Sequence, residues 1–285
     1  MLELYQGDCL EEMDQVADES VDLILCDLPY GTTDRKGILD KGDNRVLSWD
    51  TIIPLDKLWE QYRRVLKSSG AVVLTADQPF TSQLVLSNLE WFKYEWIWKK
   101  RKVTGFLHAN ARPMKETEDI LVFSPMGASG GSVKVNKNMT YNPQGLIEKR
   151  VKKKNNAKRL GKFLHQPEHM GKGNKLLHET EYEQKWTNYP SEIIEFGLDH
   201  DTIHPTQKPV ALMEYLIKTY SNEGETVLDN CMGSGTTGVA CKKTNRNFIG
   251  IEKDVEYFAQ AKKRIESMTV EKVAHNPLES AMEAI

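Results

Sequence analysis

The chain has 285 residues, 39% of them apolar and 28% charged, with a net charge of −3. That is enough for one catalytic-sized domain carrying an inserted module, and it excludes a disordered, collagenous or uniformly basic protein. No apolar segment is long enough to span a bilayer, and Met1-Leu2-Glu3-Leu4-Tyr5 reads as a strand and not as a signal peptide. The four cysteines, at 9, 26, 231 and 241, form no C-x-x-C pair, so neither a metal site nor a disulfide framework is expected and a reduced cytoplasm is the expected compartment.

In chain order, residues 2–5 form a short strand leading to Asp8. Val21-Asp22-Leu23-Ile24-Leu25-Cys26 is a β-branched apolar run of the kind found in buried parallel strands. It ends in Asp27-Leu28-Pro29-Tyr30, at the strand terminus where open α/β sheets place their chemistry. There a carboxylate can accept a hydrogen bond from an amine and an aromatic ring can stack on a planar base. Pro29 biases Leu28 toward an extended backbone, which would turn the Leu28 carbonyl outward as a second acceptor. Two acceptors beside a stacking face suit the exocyclic amino group of a nucleobase; the plain alternative is a strand followed by a Pro-Gly turn.

Residues 31–50, ending at Trp49-Asp50, read as a Gly- and charge-rich loop able to close over a substrate. A helix over 55–67, a buried strand over 70–75, a helix over 80–89 and strands over 94–99 and 119–124 follow. Strands alternating with helices imply a doubly wound, mostly parallel α/β sheet. From 125 to 188 the pattern is replaced by Gly, Asn, Lys and His, with Tyr141, Tyr182 and Trp186 scattered and His165, His169 and His178 at no metal-ligand spacing; part of this stretch is expected to order on its partner. A helix over 209–220 precedes the strand Thr226-Val227-Leu228-Asp229, then Gly233-Ser234-Gly235-Thr236-Thr237-Gly238 opens another helix. Glycines admit a close ligand, and a helix N-terminus offers unpaired N–H groups. The strand 247–251 ends at Glu252, an acid placed to bind ribose hydroxyls. Only 47 residues follow Gly238, too few for a complete dinucleotide domain, so this half-site must be completed by the N-terminal part. A helix over 254–268 sets Tyr257, Phe258, Ala261 and Ile265 on one face. Residues 269–285 read as a frayed tail or an interface helix.

The charge is unevenly distributed. Residues 93–163 hold 17 Lys+Arg against 5 Asp+Glu. The steepest part is Lys149-Arg150-Val151-Lys152-Lys153-Lys154, continuing to Lys158-Arg159. This is the footprint of a phosphate-backbone contact or of a solvated charged loop.

Taken together, the motif at 27–30 and the glycine motif at 233–238 resemble those of the DNA amino-methyltransferases, whose catalytic motif is D-P-P-Y or S-P-P-Y and whose cofactor motif is close to D-P-F-x-G-x-G-T. The catalytic motif precedes the cofactor motif here, the permuted order of the family's β group. Gly7-Asp8-Cys9-Leu10, Trp98-Lys99, Glu118 to Phe123 and His204-Pro205-Thr206-Gln207-Lys208-Pro209 match further family segments. The resemblance implies a permuted Rossmann-like methyltransferase sheet with a catalytic half (1–125), a target-recognition region (126–190), a cofactor half (191–268) and a tail (269–285). It implies methyl transfer from S-adenosylmethionine to adenine N6 of flipped bases in double-stranded DNA, with cytosine N4 as the runner-up. A non-catalytic DNA-binding regulator and a nicotinamide oxidoreductase are the readings from other classes. Asp27, Leu28, Pro29 and Tyr30 would be catalytic. Asp8 and Cys9 would adjoin the cofactor adenine, Glu252 its ribose and Lys208 its carboxylate, with Asp229, Gly233, Gly235 and Thr236 forming the rest of the cofactor cradle. Lys149, Arg150, Lys152, Lys153, Lys154, Lys158 and Arg159 would meet DNA. No metal is required; a cognate restriction endonuclease, a homodimer and association with the nucleoid are further expectations. Three positions depart from the family pattern: Leu28 stands for Pro, Asn230-Cys231 for Pro-Phe, and Thr117-Glu118 for a His-Glu pair.

Overall fold

The computed structural model describes residues 1–31, 50–127, 138–154, 181–199, 202–203 and 207–268. Residues 32–49 of the loop expected over 31–50, Lys158, Arg159, His165, His169, His178, the segment His204-Pro205-Thr206 and the tail 269–285 lie outside the described residues. The chain divides into two compact units, one comprising 1–142 and 192–285, the other 143–191.

The larger unit is built on one sheet. Its strands are β1 (Leu2–Gln6), β2 (Val21–Asp27), β3 (Leu66–Ala76), β4 (Phe92–Thr104), β5 (Lys115–Phe123), β8 (Ile193–Phe196), β9 (Thr226–Asp229) and β10 (Asn247–Glu252), in the spatial order β1-β10-β9-β2-β3-β5-β4-β8. Only β5 opposes the rest, pairing antiparallel with both β3 and β4, so the expected mostly parallel, Rossmann-like α/β sheet is present. β1 lies parallel to β10, with Leu2 opposite Phe248 and Gln6 opposite Glu252. The beginning of the chain therefore completes the half-sheet that its end leaves unfinished.

Strand β2 is buried along nearly its whole length, as a central parallel strand covered on both faces must be. Its side chains alternate between two cores. Ile24, Cys26 and Leu28 pack on one face with Leu58, Trp59, Tyr62 and Val65 of α2 (Leu55–Val65) and with Phe80 and Leu84 of α3 (Phe80–Ser87). Leu23 and Leu25 pack on the other with Leu216 and Ile217 of α4 (Val210–Tyr220), Val239 and Ala240 of α5 (Thr236–Lys243) and Ile265 of α6 (Val255–Ser267). A four-residue α1 (Cys9–Glu12) follows β1, with Asp8 as its N-cap accepting from Leu10 N at 3.0 Å.

Several boundaries differ from those expected: β4 runs over Phe92–Thr104 where 94–99 was expected, and β5 over Lys115–Phe123 where 119–124 was expected. Helix α2 stops at Val65 and β3 begins at once, passing through an irregularity where Val21 pairs with Leu66 but Leu23 with Ala71. Gly70 permits this: a Cβ there would stand 2.8 Å from the Asp22 carbonyl and 2.7 Å from Leu66 Cδ1. The edge strand β8 was not anticipated; four residues are too few for periodicity to mark.

The smaller unit contains an antiparallel ribbon of β6 (Ile147–Lys154) and β7 (Glu181–Thr187). The sequence suggested no regular structure there, because Ile147 to Lys153 are exposed on both faces and carry no alternating apolar signal.

Candidate active site

Strands β9 and β2 lie side by side in the middle of the sheet, with Leu23 opposite Val227 and Ile24 opposite Leu228. From β9 the chain continues through α5 to β10 on one side; from β2 it continues to β3 on the other. This divergence is a topological switch point, and the crevice outside the carboxyl ends of such strands is where open α/β sheets bind ligands. A cavity of about 800 Å³ opens there. Asp27 to Tyr30 line one part; Asp229, Gly233, Thr236, Glu252 and Asp8 line another.

At the catalytic part, Asp27 is the centre of a polar cluster. The Tyr30 hydroxyl lies 2.6 Å from Asp27 Oδ1 and 2.9 Å from both Thr75 Oγ1 and Glu118 Oε1; with one proton to give, it donates to one of them at a time. The Thr75 hydroxyl also donates to Asp27 Oδ1. Lys208 Nζ bridges Asp27 Oδ2 and Glu118 Oε1, 2.8 Å from each, and Lys100 Nζ lies 2.7 Å from Glu118 Oε2. The result is a chain of alternating charge: Asp27, Lys208, Glu118, Lys100. Burial works against the Glu118 carboxylate, but the Lys208 and Lys100 ammoniums hold its pKa below the usual range. Burial likewise opposes the Lys208 charge, and Asp27 and then Glu118 raise its pKa nonetheless. Burial, Asp27 and Glu118 all push the Tyr30 phenol well up, keeping it a neutral donor. The Tyr30 ring is stacked on Phe80, with centroids 5.5 Å apart.

Sheet register explains this convergence. Asp27 pairs with Thr75, and Thr75 with Ile120. Glu118 stands two residues before Ile120 and Lys100 two after Trp98, so strand alternation sets both on the sheet face bearing Asp27. Lys208 arrives on that face just ahead of α4. Thr75, Lys100 and Glu118 were missed as site residues by sequence reasoning. The available signal was a carboxylate at 118 in phase with the apolar residues Ile120 and Val122 of a buried strand. Lys208, expected beside the cofactor carboxylate, lines the cavity and is held between Asp27 and Glu118.

At the other part, Asp229 is buried and accepts from Cys231 N at 3.1 Å. Burial pushes its pKa up to about 7, against the pull of the Thr237 hydroxyl. Glu252 accepts from Gly233 N and Asp254 N, each at 2.8 Å, and burial raises its pKa. Asp8 Oδ2 pairs with Lys253 Nζ at 3.0 Å, and Gly7 N donates to the Glu252 carbonyl at 3.1 Å. Asp8 and Glu252, 244 positions apart, thus stand at one rim. Gly233 has φ +50° and a Cβ there would meet nothing within 4 Å, whereas Gly235, at φ +73°, lies against α6: a Cβ there would stand 3.0 Å from Ala261 Cβ and Ile265 Cδ1. Gly235 is not among the cavity-lining residues. Asn230 accepts from the buried Tyr62 hydroxyl at 2.7 Å, which gives the Asn230 departure a packing role. Cys9 and Cys231 line the cavity; contact with Cys231 and burial push the Cys9 thiol up, and contact with Cys26 and burial push the Cys231 thiol up against the opposing pull of Cys9, so both thiols stay neutral. Gln207 also lines the cavity, and its buried Nε2 has no partner among the described residues.

In the ribbon, Lys149, Arg150, Lys152 and Lys153 are exposed on β6, and Lys154 ends that strand. Leu28 is buried, its side chain directed into the core.

Comparison with known proteins accords with this geometry. Two curated relatives are each 29% identical: the DNA adenine methyltransferase YhdJ of Escherichia coli (strain K12), over 92% of this chain and 82% of that protein, and the Type II methyltransferase M.HpaI of Haemophilus parainfluenzae, over 93% and 74%. Among solved structures, the M1.HpyAVI–SAM complex superposes with a TM-score of 0.56 at 24% identity, over 93% of this chain and 100% of that one. The PvuII cytosine-N4-specific DNA methyltransferase does so at 0.60 and 14%, over 99% and 90%. These likenesses show the methyltransferase fold. The N6/N4 DNA methylase family model matches residues 21–263, from the start of the strand that ends in Asp27 to the last helix, and the chain belongs to that family.

Proposed function

We propose that this protein transfers the methyl group of S-adenosylmethionine to N6 of adenine in duplex DNA after flipping the base out of the helix. The observation that carries the reading is that one cavity is lined both by the acceptor and ring of Asp27 and Tyr30 and by the acids and glycine of the β9–α5 and β10 ends. The residues present suit the cofactor. Acceptors at Asp8, Asp229 and Glu252 match a molecule bearing ribose hydroxyls and two amino groups, the unpartnered Gln207 Nε2 is a donor for its carboxylate, and the open space over Gly233 leaves room for it. When bound, S-adenosylmethionine supplies an electrophilic methyl on a sulfonium centre.

The protein contributes position and electron density. An ionised carboxylate offers about four lone-pair sites, and Asp27 uses three of them for Tyr30, Thr75 and Lys208. One site on Oδ2 remains for the amino hydrogen of the target base, and the Leu28 carbonyl takes the other. Accepting these hydrogens would raise electron density on nitrogen for in-line displacement at the methyl that S-adenosylmethionine would supply, and Asp27 is placed to take the amine proton. Tyr30, braced by Phe80, presents a face to the base. A base inside a duplex cannot reach such a cavity, so flipping is required.

Adenine is favoured by Asp at the first motif position and by the adenine specificity that the name of YhdJ carries. The PvuII enzyme acts on cytosine N4 with the same fold, so the base must be tested directly. Residues 126–190, which include most of the compact unit 143–191 with its basic ribbon, are the proposed target-recognition region, and the Type II designation of M.HpaI supports a cognate endonuclease. The test is to incubate the protein with duplex DNA and methyl-labelled cofactor, digest to nucleosides and separate them. Label is expected in N6-methyladenine. Label only in N4-methylcytosine reverses the base assignment, and label in neither refutes DNA as the substrate.

A further inference from the structure

The tip of the β4–β5 hairpin, beyond Lys100 and Glu118, carries no assigned role, yet its surface is unlike the rest of the sheet. All residues from 101 to 114 are exposed. Its tip is a short 3-10 turn, Phe106–His108, entered through Gly105 at φ +91°. Backbone bonds from His108 N to Gly105 O and from Arg112 N to His108 O, 2.9 and 3.0 Å, give the tip an ordered shape. Phe106 is 79% exposed and Leu107 94%, the highest value among the exposed large apolar residues described. Single exposed apolar residues are ordinary on a protein surface. Two adjacent ones at the apex of an ordered turn are a feature that solvent alone does not favour.

The surroundings of the tip are cationic. Residues 99–115 contain six Lys and Arg and no Asp or Glu. Lys100 and Lys115 are engaged by Glu118 and Asp77, and Arg101 lies 3.6 Å from Glu195, but Lys102 and Arg112 make no ion pair among the described residues. An apolar apex between unpaired cations matches a polyanion with a stacked apolar interior, which describes a nucleic-acid duplex.

The hairpin also stands in the right place. Because β5 opposes both β3 and β4, β4 runs in the direction of β2 and β3, and its carboxyl end emerges at the sheet edge where the cavity opens. Lys100 and Thr104 line that cavity. Leu107 is three residues beyond Thr104, at most about 10 Å of chain, comparable with the roughly 8.5 Å depth of the major groove.

We propose that the tip of this hairpin is a wedge: Phe106 and Leu107 enter the duplex beside the target and occupy the gap left by the extruded base, while Lys102 and Arg112 hold the flanking phosphates. The inference rests on DNA being the substrate. It adds which residues keep the base out of the helix, a task separate from binding cofactor or carrying out transfer. No covalent step is involved.

The experiment uses the full chain and a duplex carrying the site that the wild type methylates, read by sequencing. Two versions are compared: one fully paired, the other with an abasic position opposite the target, so that the target is unpaired beforehand. For the Phe106→Ala/Leu107→Ala variant, kcat/KM on the paired duplex is expected to fall by roughly 100-fold, while activity on the abasic duplex and cofactor affinity by calorimetry stay within about threefold of wild type. With 2-aminopurine at the target, the fluorescence rise on binding is expected to be lost in this variant and kept in Leu107→Met, which preserves an apolar apex. Equal activity of wild type and variant on the paired duplex overturns the wedge, as does an equal loss on both duplexes. Absence of methyl transfer to any DNA by the wild type overturns the underlying reading itself.

Discussion

Asp229 shows how burial tunes the site one residue at a time. It is 3% exposed at the end of β9, and burial lifts its pKa from 3.8 to about 7. A raised carboxyl pKa means that the folded state keeps a proton the unfolded chain has already lost. This contribution to stability is fully present below about pH 4 and is lost as pH rises through about 7. Asn cannot titrate and keeps the oxygen that accepts from Cys231 N. In urea titrations, Asp229→Asn is therefore expected to gain stability relative to wild type, by a few kcal/mol, as pH is raised from 5 to 8. A difference independent of pH contradicts the assignment. At this scale the sequence was informative where a motif names a residue type, as at Asp27, Tyr30, Asp229 and Glu252. It was silent on Glu118, whose part in the cluster depends on register across three strands, and on the hold that Glu118, 90 positions earlier, has on the Lys208 ammonium.

Among the elements, the turn from β9 into α5 depends on two glycines with different tasks. Gly233 faces the cavity with open space over it, while Gly235 holds φ +73° against α6. The G-x-G-x-x-G pattern reports that glycine is needed without saying which neighbour requires it, so the sequence reading assigned cofactor clearance to both. Gly235→Val is expected to unfold more readily, by about 1–3 kcal/mol or more, through backbone strain and collision with Ala261 and Ile265. Loss of cofactor affinity would follow from a displaced α6. Chemical denaturation without cofactor tests this; unchanged stability with lost affinity would restore the clearance explanation. Apart from the short β8, the main helices and strands of the larger unit were readable because their apolar periodicities are strong. The β6–β7 ribbon was not, since both its faces meet solvent and its stabilisation comes from cross-strand pairing.

For the whole molecule, chain order and charge distribution carry most of the meaning. The cofactor half was expected to be completed by the N-terminal part of the chain, and β1 beside β10 does so. The excess of basic residues over 93–163 falls partly on the hairpin tip and partly on the ribbon. Replacing Lys149, Arg150, Lys152 and Lys153 by Gln is expected to weaken binding to all DNA sequences alike and to flatten the log–log salt dependence by about 0.9 per lost phosphate contact. An unchanged slope in fluorescence titrations would make the ribbon a solvated face.

The central claim is that one cavity holds a catalytic part and a cofactor part that can be separated by mutation. Asp27→Ala removes the proposed acceptor for the target amine while leaving Asp8, Asp229, Gly233 and Glu252 in place. The decisive measurement pairs cofactor affinity by calorimetry with single-turnover methyl transfer to DNA for this one variant. The account predicts transfer reduced by about 1,000-fold or more with cofactor Kd changed less than about threefold. Near-normal transfer by Asp27→Ala, or loss of cofactor binding as large as the loss of transfer, would contradict it.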